Sequence, residues 1–284
     1  RLVGSEMCIR DRLHGLTRVR SFTQDDAHIF CRPEQVKDEF LRVMDIISIV
    51  FRSMDFQNFE AQISLRDKVN REKYIGSDDN WEKAEQAIIE ACAEKGLPAK
   101  IEYGEAAFYG PKLDVNVKPA IGNEITLSTC QLDFCLPAKF NLTYVAEDGT
   151  KKTPVVLHRA ILGSLDRFMA YILEETKGNL PLWLAPTQVK VLPVKNEYHL
   201  DYAQEIYQLL LDEGFEVELD SRDEKLGYRI REAQMQKANY ILVLGNNERD
   251  ERTVTYRKHG EQKATTVTID EFVSMLKQQI KDKK

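Results

Sequence analysis

The sequence lacks any long apolar run and has few cysteines, and these two shortages narrow the class of protein. No stretch of roughly 18 consecutive apolar residues occurs, so we predict no membrane-spanning helix. The five cysteines are an odd number and contain no C-x-x-C pair. This pattern favours reduced thiols in a cytoplasmic protein and argues against a zinc knuckle held by thiolates.

The sequence also lacks an excess of positive charge. With 40 basic and 46 acidic residues the net charge is −6, so contact with nucleic acid must come from a local basic patch. Hydrophobic residues make up 43% of the chain, which is enough for a real core. The length of 284 residues favours two domains.

The composition changes twice along the chain. Residues 1–12, RLVGSEMCIRDR, differ in composition from the rest of the chain, and we expect either a segment foreign to the gene or an unusual native loop. Pro181 and Pro186 interrupt periodic structure, and the pattern of elements differs after them. We therefore predict one domain over residues 13–181 and a second over residues 182–284.

The first domain is predicted to be α+β. Strand-like alternation runs over residues 13–31, and helical spacing follows Pro33 in EQVKDEFLRVMDIISIVF. Helical patterns recur in NWEKAEQAIIEACAEKG and in SLDRFMAYILEETKG, with Ser164 as the N-cap of the latter. Five further strands are predicted in AKIEY, KLDVNVK, EITLSTCQLDF, NLTYV and PVVLHRAIL, with a hairpin turn at EDG. Strand runs with few helices between them are typical of an antiparallel sheet.

The second domain is predicted to be a small α/β domain. Strands and helices alternate in QVKVLPV, YHLDYAQEIYQLLLDEG, FEVELD, GYRIREAQMQKA and YILVLG. Two further strands, RTVTYRK and TTVTI, precede a final amphipathic helix. This order favours a mixed, mostly buried sheet with helices packed on it.

Ligand-type side chains recur at every second position near the start of the chain. On a strand, one face would carry Arg18, Arg20, Phe22, Gln24, Asp26, His28 and Phe30. Arginine suits phosphate oxygens, an aromatic ring stacks on a base, and an imidazole binds metal. The amide and the carboxylate suit a substrate amine or hydroxyl. A solvated edge strand would show the same pattern, and His28 alone would suit a core or surface position.

Three other segments concentrate polar groups. Thr129, Gln131 and Asp133 share one face of STCQLDF, where buried polar groups need partners. Gly110 and Pro111 set Tyr109 and Lys112 at a turn in AFYGPKLD. A strand end and the first turn of the following helix supply His158 and Arg167. A satisfied core histidine and a surface arginine remain the alternatives for this last pair.

Taken in order, these segments resemble a known family. HGLTRVRSFTQDDAHIF is similar to the second half of motif 2 of the class II aminoacyl-tRNA synthetases, in the version of the threonyl-tRNA synthetase family. AFYGPKLD, STCQLDFCLPAKF and PVVLHRAILGSLDRF resemble later segments, the last being motif 3. WLAPTQVKVLPV and DSRDEKLGYRIREAQMQKANYILVLG resemble the anticodon-binding domain. The resemblance covers residues 13–284.

The resemblance implies an ATP-dependent ligase of translation. Such enzymes activate L-threonine to threonyl-adenylate, with ATP and Mg²⁺ as substrate, and transfer it to the 3′ end of tRNA(Thr). The implied catalytic and ATP-binding residues are Arg18, Phe22, Lys112 and Arg167. The implied threonine-binding residues are Gln24, Asp26, Tyr109 and Gln131. His28 and His158 correspond to two ligands of a Zn²⁺ ion, which rejects valine because valine lacks the hydroxyl ligand.

The resemblance also implies partners and marks departures. Anticodon contacts fall on Asp223, Arg231, Lys237, Glu248 and Arg257, all of which also suit ordinary surface charges. The family's cysteine zinc ligand, its motif 1 and the first strand of motif 2 have no match here. We therefore expect a truncated fragment, inactive alone, of a homodimeric parent enzyme. A non-catalytic module that binds RNA or a small effector is the alternative.

Overall fold

The computed structural model describes residue 13, residues 15–119 and residues 124–283. The chain divides into two compact units between Glu174 and Glu175. The domain boundary predicted between residues 181 and 182 stays a prediction. Across the described residues, no helix has both the length and the apolar character that crossing a bilayer requires.

The first unit is built on one six-stranded sheet. Its strands in chain order are β1 (Ala27–Cys31), β2 (Phe59–Leu65), β3 (Ala99–Tyr103), β4 (Lys112–Val117), β5 (Ile125–Asp133) and β8 (Val155–Ala160). Two short strands between β5 and β8 in the sequence, β6 (Tyr144–Val145) and β7 (Lys151–Lys152), form a separate pair. The spatial order is β1-β8-β5-β4-β2-β3. All neighbours are antiparallel except the β2–β3 pair, which is parallel at one edge.

The helices of the first unit are α1 (Val36–Ser53), α2 (Asp78–Glu94), α3 (Leu136–Lys139) and α4 (Leu165–Glu175). The helix α1 contacts β1, β5 and β8, and α2 contacts β2 and α1. The buried side of α1 follows helical spacing in Phe40, Met44 and Ile47. Leu132 and Leu157, which are opposite each other on β5 and β8, are fully buried. Because side chains alternate along a strand, the polar residues between them belong to the other face of the sheet.

Two predictions about the first unit are wrong in detail, and one strand was not predicted. Within the described residues of 13–31, the predicted strand is regular only at β1, because residues 23–25 bond to the start of α4 and the turn before it instead of to a strand. The strand β2 was not predicted, although FEAQISL buries alternate residues before becoming continuously buried. Of NLTYV only Tyr144 and Val145 form a strand, paired with β7 across the predicted EDG turn.

The second unit has a five-stranded mixed sheet. Its elements are β9 (Val189–Pro193), α5 (Asn196–Asp212), β10 (Val217–Leu219), α6 (Leu226–Met235), β11 (Tyr240–Leu244), α7 (Asn246–Glu251), β12 (Thr253–Lys258), β13 (Ala264–Thr268) and α8 (Ile269–Lys281). The order is β10-β9-β11-β12-β13, with β10, β9 and β11 parallel and β12 and β13 antiparallel. The short helix α7 was not predicted.

The two faces of this second sheet have different cores. The larger core joins residues of α5 and α8, such as Ile206 and Phe272, to Leu242 of β11. The smaller core lies on the opposite face, where Ala233 of α6 packs with Ile241. The sheet is therefore covered by two helices on one side and by α6 on the other.

Candidate functional site

The polar face of the first sheet carries one row of ligand-type residues. His28 of β1 is opposite His158 of β8, His158 is opposite Gln131 of β5, and Gln131 is opposite Lys112 of β4. Residues directly opposite each other in antiparallel strands point to the same face of the sheet. Four residues that are far apart in the sequence therefore form one continuous line across four strands.

The two imidazoles of this row contact each other, and that of His158 also contacts a buried carboxylate. The ring centroids of His28 and His158 are 4.7 Å apart in an edge-on arrangement. Nε2 of His158 is 3.0 Å from Oδ2 of Asp133, whose side chain is 1% exposed. The other oxygen of Asp133 accepts hydrogen bonds from the backbone N–H groups of Cys135 and Leu136, at 2.9 and 2.8 Å.

This arrangement fits two of the ligands of a metal ion. A carboxylate on one ring nitrogen orients an imidazole and leaves the other nitrogen, here Nδ1 of His158, for a metal. His28 supplies a second imidazole next to it. Within the described ranges, however, no group of three His, Cys, Asp or Glu side chains has metal-binding geometry. The described residues therefore offer two imidazoles side by side and a carboxylate hydrogen-bonded to one of them.

A series of hydrogen bonds links Tyr109 and two residues of the row, Gln131 and Lys112. The hydroxyl of Tyr109 donates to Oε1 of Gln131, and Nε2 of Gln131 donates to Oγ1 of Thr129 at 3.4 Å. Oγ1 of Thr129 donates in turn to Oδ1 of Asp114 at 2.7 Å. The second carboxylate oxygen of Asp114 pairs with the ammonium of Lys112. Four strand residues and Tyr109, in the turn before β4, thus form one network.

The turn that positions Tyr109 depends on a glycine. A Cβ on Gly110 would lie 1.6 Å from the carbonyl oxygen of Leu132, so only glycine fits against β5 here. The next residue, Pro111, accepts a hydrogen bond from the N–H of Leu132 at 3.0 Å. Tyr109 is thereby placed with its ring centroid 5.2 Å from that of His158. Burial, followed by the charges of Asp133 and Asp26, raises the pKa of Tyr109, so its hydroxyl stays protonated at neutral pH.

A cleft of about 320 Å³ adjoins this network. Its lining includes Arg18, Phe22, Gln24, Thr129 and Arg167. The ring of Phe22 is 53% exposed, which leaves its face available for stacking. Arg18, Phe22, Gln24 and Arg167 were predicted from the sequence as ligand-binding residues. The structure brings these four together in one cleft, although Arg18 and Phe22 are not on a regular strand.

One side chain holds the two walls of this cleft together. The carboxylate of Asp25 accepts hydrogen bonds from the backbone N–H groups of Ile161, Leu162 and Gly163, at 3.0 to 3.1 Å. The guanidinium of Arg159 lies 3.6 Å from the same carboxylate. Asp25 therefore fixes the segment that carries Arg18 and Phe22 to the turn that leads into α4.

Backbone contacts reinforce that attachment. The N–H of Leu165 donates to the carbonyl of Thr23 at 2.9 Å, and Gln24 forms an isolated bridge with Ser164. Nε of Arg167 donates to the carbonyl of Thr17 at 3.1 Å. The predicted N-cap is confirmed, since Oγ of Ser164 accepts from the N–H of Arg167 at 3.4 Å.

The remaining predicted residues of this face are exposed. Asp26 and His28 alternate with less exposed neighbours, and the charge of Asp26 contributes to the raised pKa of Tyr109. Arg20 is exposed and is not part of the cleft lining. Phe30, at the far end of β1, is 61% exposed. The predicted face is therefore real from Asp26 onwards, whereas Arg20 is separated from it.

In the second unit, Arg257 lies beside the helix α6. It is opposite Ile241, which packs against α6, so Arg257 points to the α6 side of the sheet. Arg231 is exposed on α6, and Asp223 is exposed in the loop before that helix. Lys237 follows α6 and donates from Nζ to the carbonyl of Lys177 at 2.5 Å. Four of the predicted residues therefore surround one helix.

The fifth residue, Glu248, has internal partners. Its carboxylate accepts hydrogen bonds from the N–H of Gly245 at 2.8 Å and from Oγ1 of Thr255 at 2.6 Å. Partial burial raises the pKa of Glu248, but these two bonds, its own backbone N–H and His199 together outweigh burial, so its pKa lies below the usual value. Glu248 is thus a charged residue that also ties α7 to β12.

Sequence reasoning missed Asp25 and Asp114 and gave Thr129 no site role. Asp25 lies on the opposite side of the alternating pattern from the predicted ligands, and nothing local marks it as an acceptor of backbone bonds. Asp114 and Thr129 did carry a signal, because each is a polar residue at every second position of a strand that is otherwise apolar. Their pairing depends on the β4–β5 register, which a single strand does not reveal.

Comparisons with known proteins identify both units. Residues 5–176 match the family described as the class II core domain of tRNA synthetases (G, H, P, S and T), and residues 188–279 match an anticodon-binding domain. The first match begins inside the segment predicted to be foreign or a native loop. Both matches agree with the fold class predicted from the resemblance.

Curated relatives are longer than this chain. A protein named threonine–tRNA ligase from Bacteroides thetaiotaomicron is 59% identical over 270 residues, which are 95% of this chain and 42% of the relative. One of the same name from Geobacillus kaustophilus is 50% identical over 272 residues, again 42% of its length. The chain thus spans less than half of the curated relatives that it matches.

Solved structures show the same architecture. A structure titled as the RNA binding domain of threonyl-tRNA synthetase from Cryptosporidium parvum has a TM-score of 0.86 and 37% identity, covering 95% of this chain and 66% of that one. A putative threonyl-tRNA synthetase from Aeropyrum pernix has a TM-score of 0.82 and 30% identity, with 95% and 65% covered.

Proposed function

Because the chain belongs to the family of class II tRNA synthetase core domains (G, H, P, S and T), we propose that it carries the ATP- and threonine-binding half of a threonine–tRNA ligase, with its anticodon-binding domain. One observation carries this proposal. The row His28–His158–Gln131–Lys112 meets a cleft lined by Arg18, Phe22 and Arg167. A site for an amino acid and a site for a nucleotide therefore share a border at Thr129.

The nucleotide half would hold ATP through stacking and charge. Phe22 offers an exposed ring to the adenine, and the guanidinium of Arg167 covers the other side of the base. Arg18, on the same cleft, would bind the outer phosphates bidentately, with Mg²⁺ neutralising the rest. Catalysis of this kind depends on positioning the carboxylate of the amino acid and the α-phosphate, since both carry negative charge.

The amino-acid half would hold the substrate by its polar groups. Lys112 would face the carboxylate and the α-phosphate, while Tyr109, Gln131, Gln24 and Asp26 would surround the amine and the hydroxyl. Adenylate formation joins a carboxylate oxygen of threonine to the α-phosphorus and releases pyrophosphate. No proton transfer by a side chain is needed in that step.

His28 and His158 would hold a zinc ion in this half, with His158 oriented by Asp133. When bound, such an ion supplies a Lewis acid whose coordination requires the substrate hydroxyl, so valine is rejected. The residues present fit two of its protein ligands. Zinc binding, its third protein ligand and the homodimeric state of the parent enzyme belong to the proposal.

The second unit would bind tRNA(Thr) on the side of the sheet that carries Arg257. Arg231 is exposed on α6 and Asp223 is exposed in the loop before it, so charged groups of both signs lie on or near the helix that covers this side. RNA bases in single-stranded loops are commonly read by side chains that hydrogen-bond to their edges. A cytoplasmic location follows from the same proposal.

Threonine-dependent exchange between ATP and pyrophosphate tests this function. It should be measured on this chain and on the product of the full reading frame that encodes it. We expect exchange with threonine from the full product and none from this chain alone. Arg18→Ala should abolish exchange, whereas Arg20→Ala serves as the matched control, because Arg20 is outside the cleft lining.

Two results would contradict the proposal. Exchange stimulated by proline or serine and not by threonine would assign another substrate. A full product that binds tRNA(Thr) without any exchange would favour the non-catalytic RNA-binding module instead. Robust exchange by this chain alone would refute only the expectation that it is inactive in isolation.

A further inference from the structure

We propose that Thr129 and Asp114 are positioning residues that set the hydrogen-bond direction of Tyr109, so that the Tyr109 oxygen accepts from an N–H of the amino group of the bound amino acid. This inference rests on the proposed function for the identity of the ligand. The hydrogen-bonded chain itself is independent of any ligand, because every bond in it joins residues of this chain.

The donor and acceptor roles along this series of hydrogen bonds are decided at its buried end, at Asp114. The carboxylate of Asp114 is almost fully buried and pairs with Lys112, so it offers acceptors and no proton. The single hydroxyl proton of Thr129 must therefore go to Oδ1 of Asp114, at 2.7 Å. Oγ1 of Thr129 is left as an acceptor for its other neighbour.

That acceptor fixes the orientation of the Gln131 amide. With Oγ1 of Thr129 accepting, the NH₂ group of Gln131 has to face it, which is the 3.4 Å contact between Nε2 and Oγ1. The carbonyl oxygen Oε1 then faces Tyr109. A reversed amide would bring two acceptors, Oε1 of Gln131 and Oγ1 of Thr129, into contact.

The carbonyl of Gln131 in turn fixes the proton of Tyr109. The hydroxyl donates to Oε1, so its single proton is used in that bond. The phenolic oxygen therefore presents lone pairs and no proton to the site. The amino group of a ligand, which donates through its N–H bonds, suits this position.

The structural alternative is that Thr129 only fills space between the two halves of the site. Valine has nearly the same shape as threonine and lacks the hydroxyl, whereas serine keeps the hydroxyl and loses a methyl group. A packing role therefore predicts that Thr129→Val is harmless and Thr129→Ser is not. The proposed role predicts the reverse, which makes these two variants a matched pair.

The first measurement uses the chain without ligand. Nuclear Overhauser contacts from the side-chain amide protons of Gln131 report which way the amide faces. We expect contacts to the side chain of residue 129 in the wild type and in Thr129→Ser. In Thr129→Val we expect the amide to turn and show contacts to the ring of Tyr109. Wild-type amide protons facing Tyr109 would overturn the proposal, whatever the ligand.

The second measurement is the affinity for threonine, by calorimetry, on the longest product that binds it. We expect Thr129→Val to weaken threonine binding about tenfold, because the amino group then loses its acceptor. ATP affinity should be unchanged, and Thr129→Ser should restore threonine binding. Equal threonine affinity in the wild type and in Thr129→Val would overturn the proposal. If the wild type shows the expected amide orientation but no affinity for threonine, the proposed function is refuted. The hydrogen-bond order from Asp114 to Tyr109 would then still be supported.

Discussion

The two halves of the candidate site are built in different ways. In the amino-acid half, His28, His158, Gln131 and Lys112 are on regular strands, and their neighbours are set by sheet register. In the nucleotide half, Arg18, Phe22 and Arg167 come from an irregular segment and the start of a helix. The first half is held by many backbone bonds of the ladder, whereas the second depends on Asp25 and a few contacts.

This difference predicts where the site is sensitive. A ladder residue can be exchanged for another side chain without moving its neighbours, because the backbone holds the position. A residue that binds backbone N–H groups cannot be removed without freeing a whole segment. Loss of function in the first half should therefore be local, and in the second half it should spread with the segment.

The largest expected effect is that of Gly110→Ala. Its Cβ would meet the carbonyl oxygen of Leu132 at 1.6 Å, so either β5 or the turn with Tyr109 must move. We expect the free energy of unfolding of the first unit to fall by more than about 3 kcal/mol. Fluorescence of Trp81 during urea denaturation, in a Trp183→Phe background, reports this unit, since the chain has 2 tryptophans.

A second glycine gives the control. Gly227 in α6, in the second unit, has open space where a Cβ would be, so Gly227→Ala should leave the urea midpoint reported by Trp81 unchanged. In a Trp81→Phe background, Trp183 should report a gain of about 0.5 kcal/mol in the second unit through helix propensity. An unchanged urea midpoint for Gly110→Ala would show that β5 and the turn move easily. The claim that only glycine fits against the carbonyl of Leu132 would then be wrong.

Asp25→Ala tests the irregular half. It removes the acceptor of three backbone N–H groups in the turn before α4, which we expect to cost about 3 kcal/mol in the first unit. ATP affinity should fall as well, because both walls of the cleft are released. The exposed neighbour gives the control for stability, since Asp26→Ala should change the free energy of unfolding by less than about 0.5 kcal/mol. Equal free energies of unfolding for the two variants would contradict the claim that Asp25 holds the irregular half of the site.

Asp133→Asn tests the regular half without disturbing the backbone. The amide oxygen still accepts from Cys135 and Leu136, but its NH₂ group opposes Nε2 of His158 and disfavours the ring orientation that leaves Nδ1 for a metal. Zinc affinity, measured by competition with a chelator, should fall roughly 10- to 100-fold. Asp148→Asn, in the exposed β6–β7 turn, should leave it unchanged. Identical zinc binding by Asp133→Asn and the wild type would contradict the orienting role.

The smallest effect is expected in the second unit. Arg257→Ala should weaken binding of tRNA(Thr) by about 1 kcal/mol at fixed salt, because one charge on the α6 side is lost. The adjacent residue is the matched control, since Lys258 is opposite Tyr240 and therefore points to the other face of the sheet. If both variants bind alike in a filter assay, the α6 side is not the RNA-binding face.

Much of this could be predicted from the sequence, and the failures have a common cause. Alternation correctly identified β4, β5 and β8 and the polar face of β5, because period-two burial is a local property of each strand. Register is not local, so the pairing of Thr129 with Asp114 was invisible. The irregular path of residues 18–26 was also missed, since it depends on Asp25 meeting a turn that is 136 residues away at Ile161.

The β6–β7 hairpin has a consequence for how the length of such a chain can change. In the sequence it lies between β5 and β8, but it forms its own two-stranded sheet. Its turn at Gly149 therefore does not contribute to the six-stranded sheet. Added or deleted residues at that turn would leave the register of β5 and β8 intact. One residue added inside β5 would reverse its faces and turn Gln131 towards α1. Natural variation in length should therefore collect at this hairpin and avoid β5.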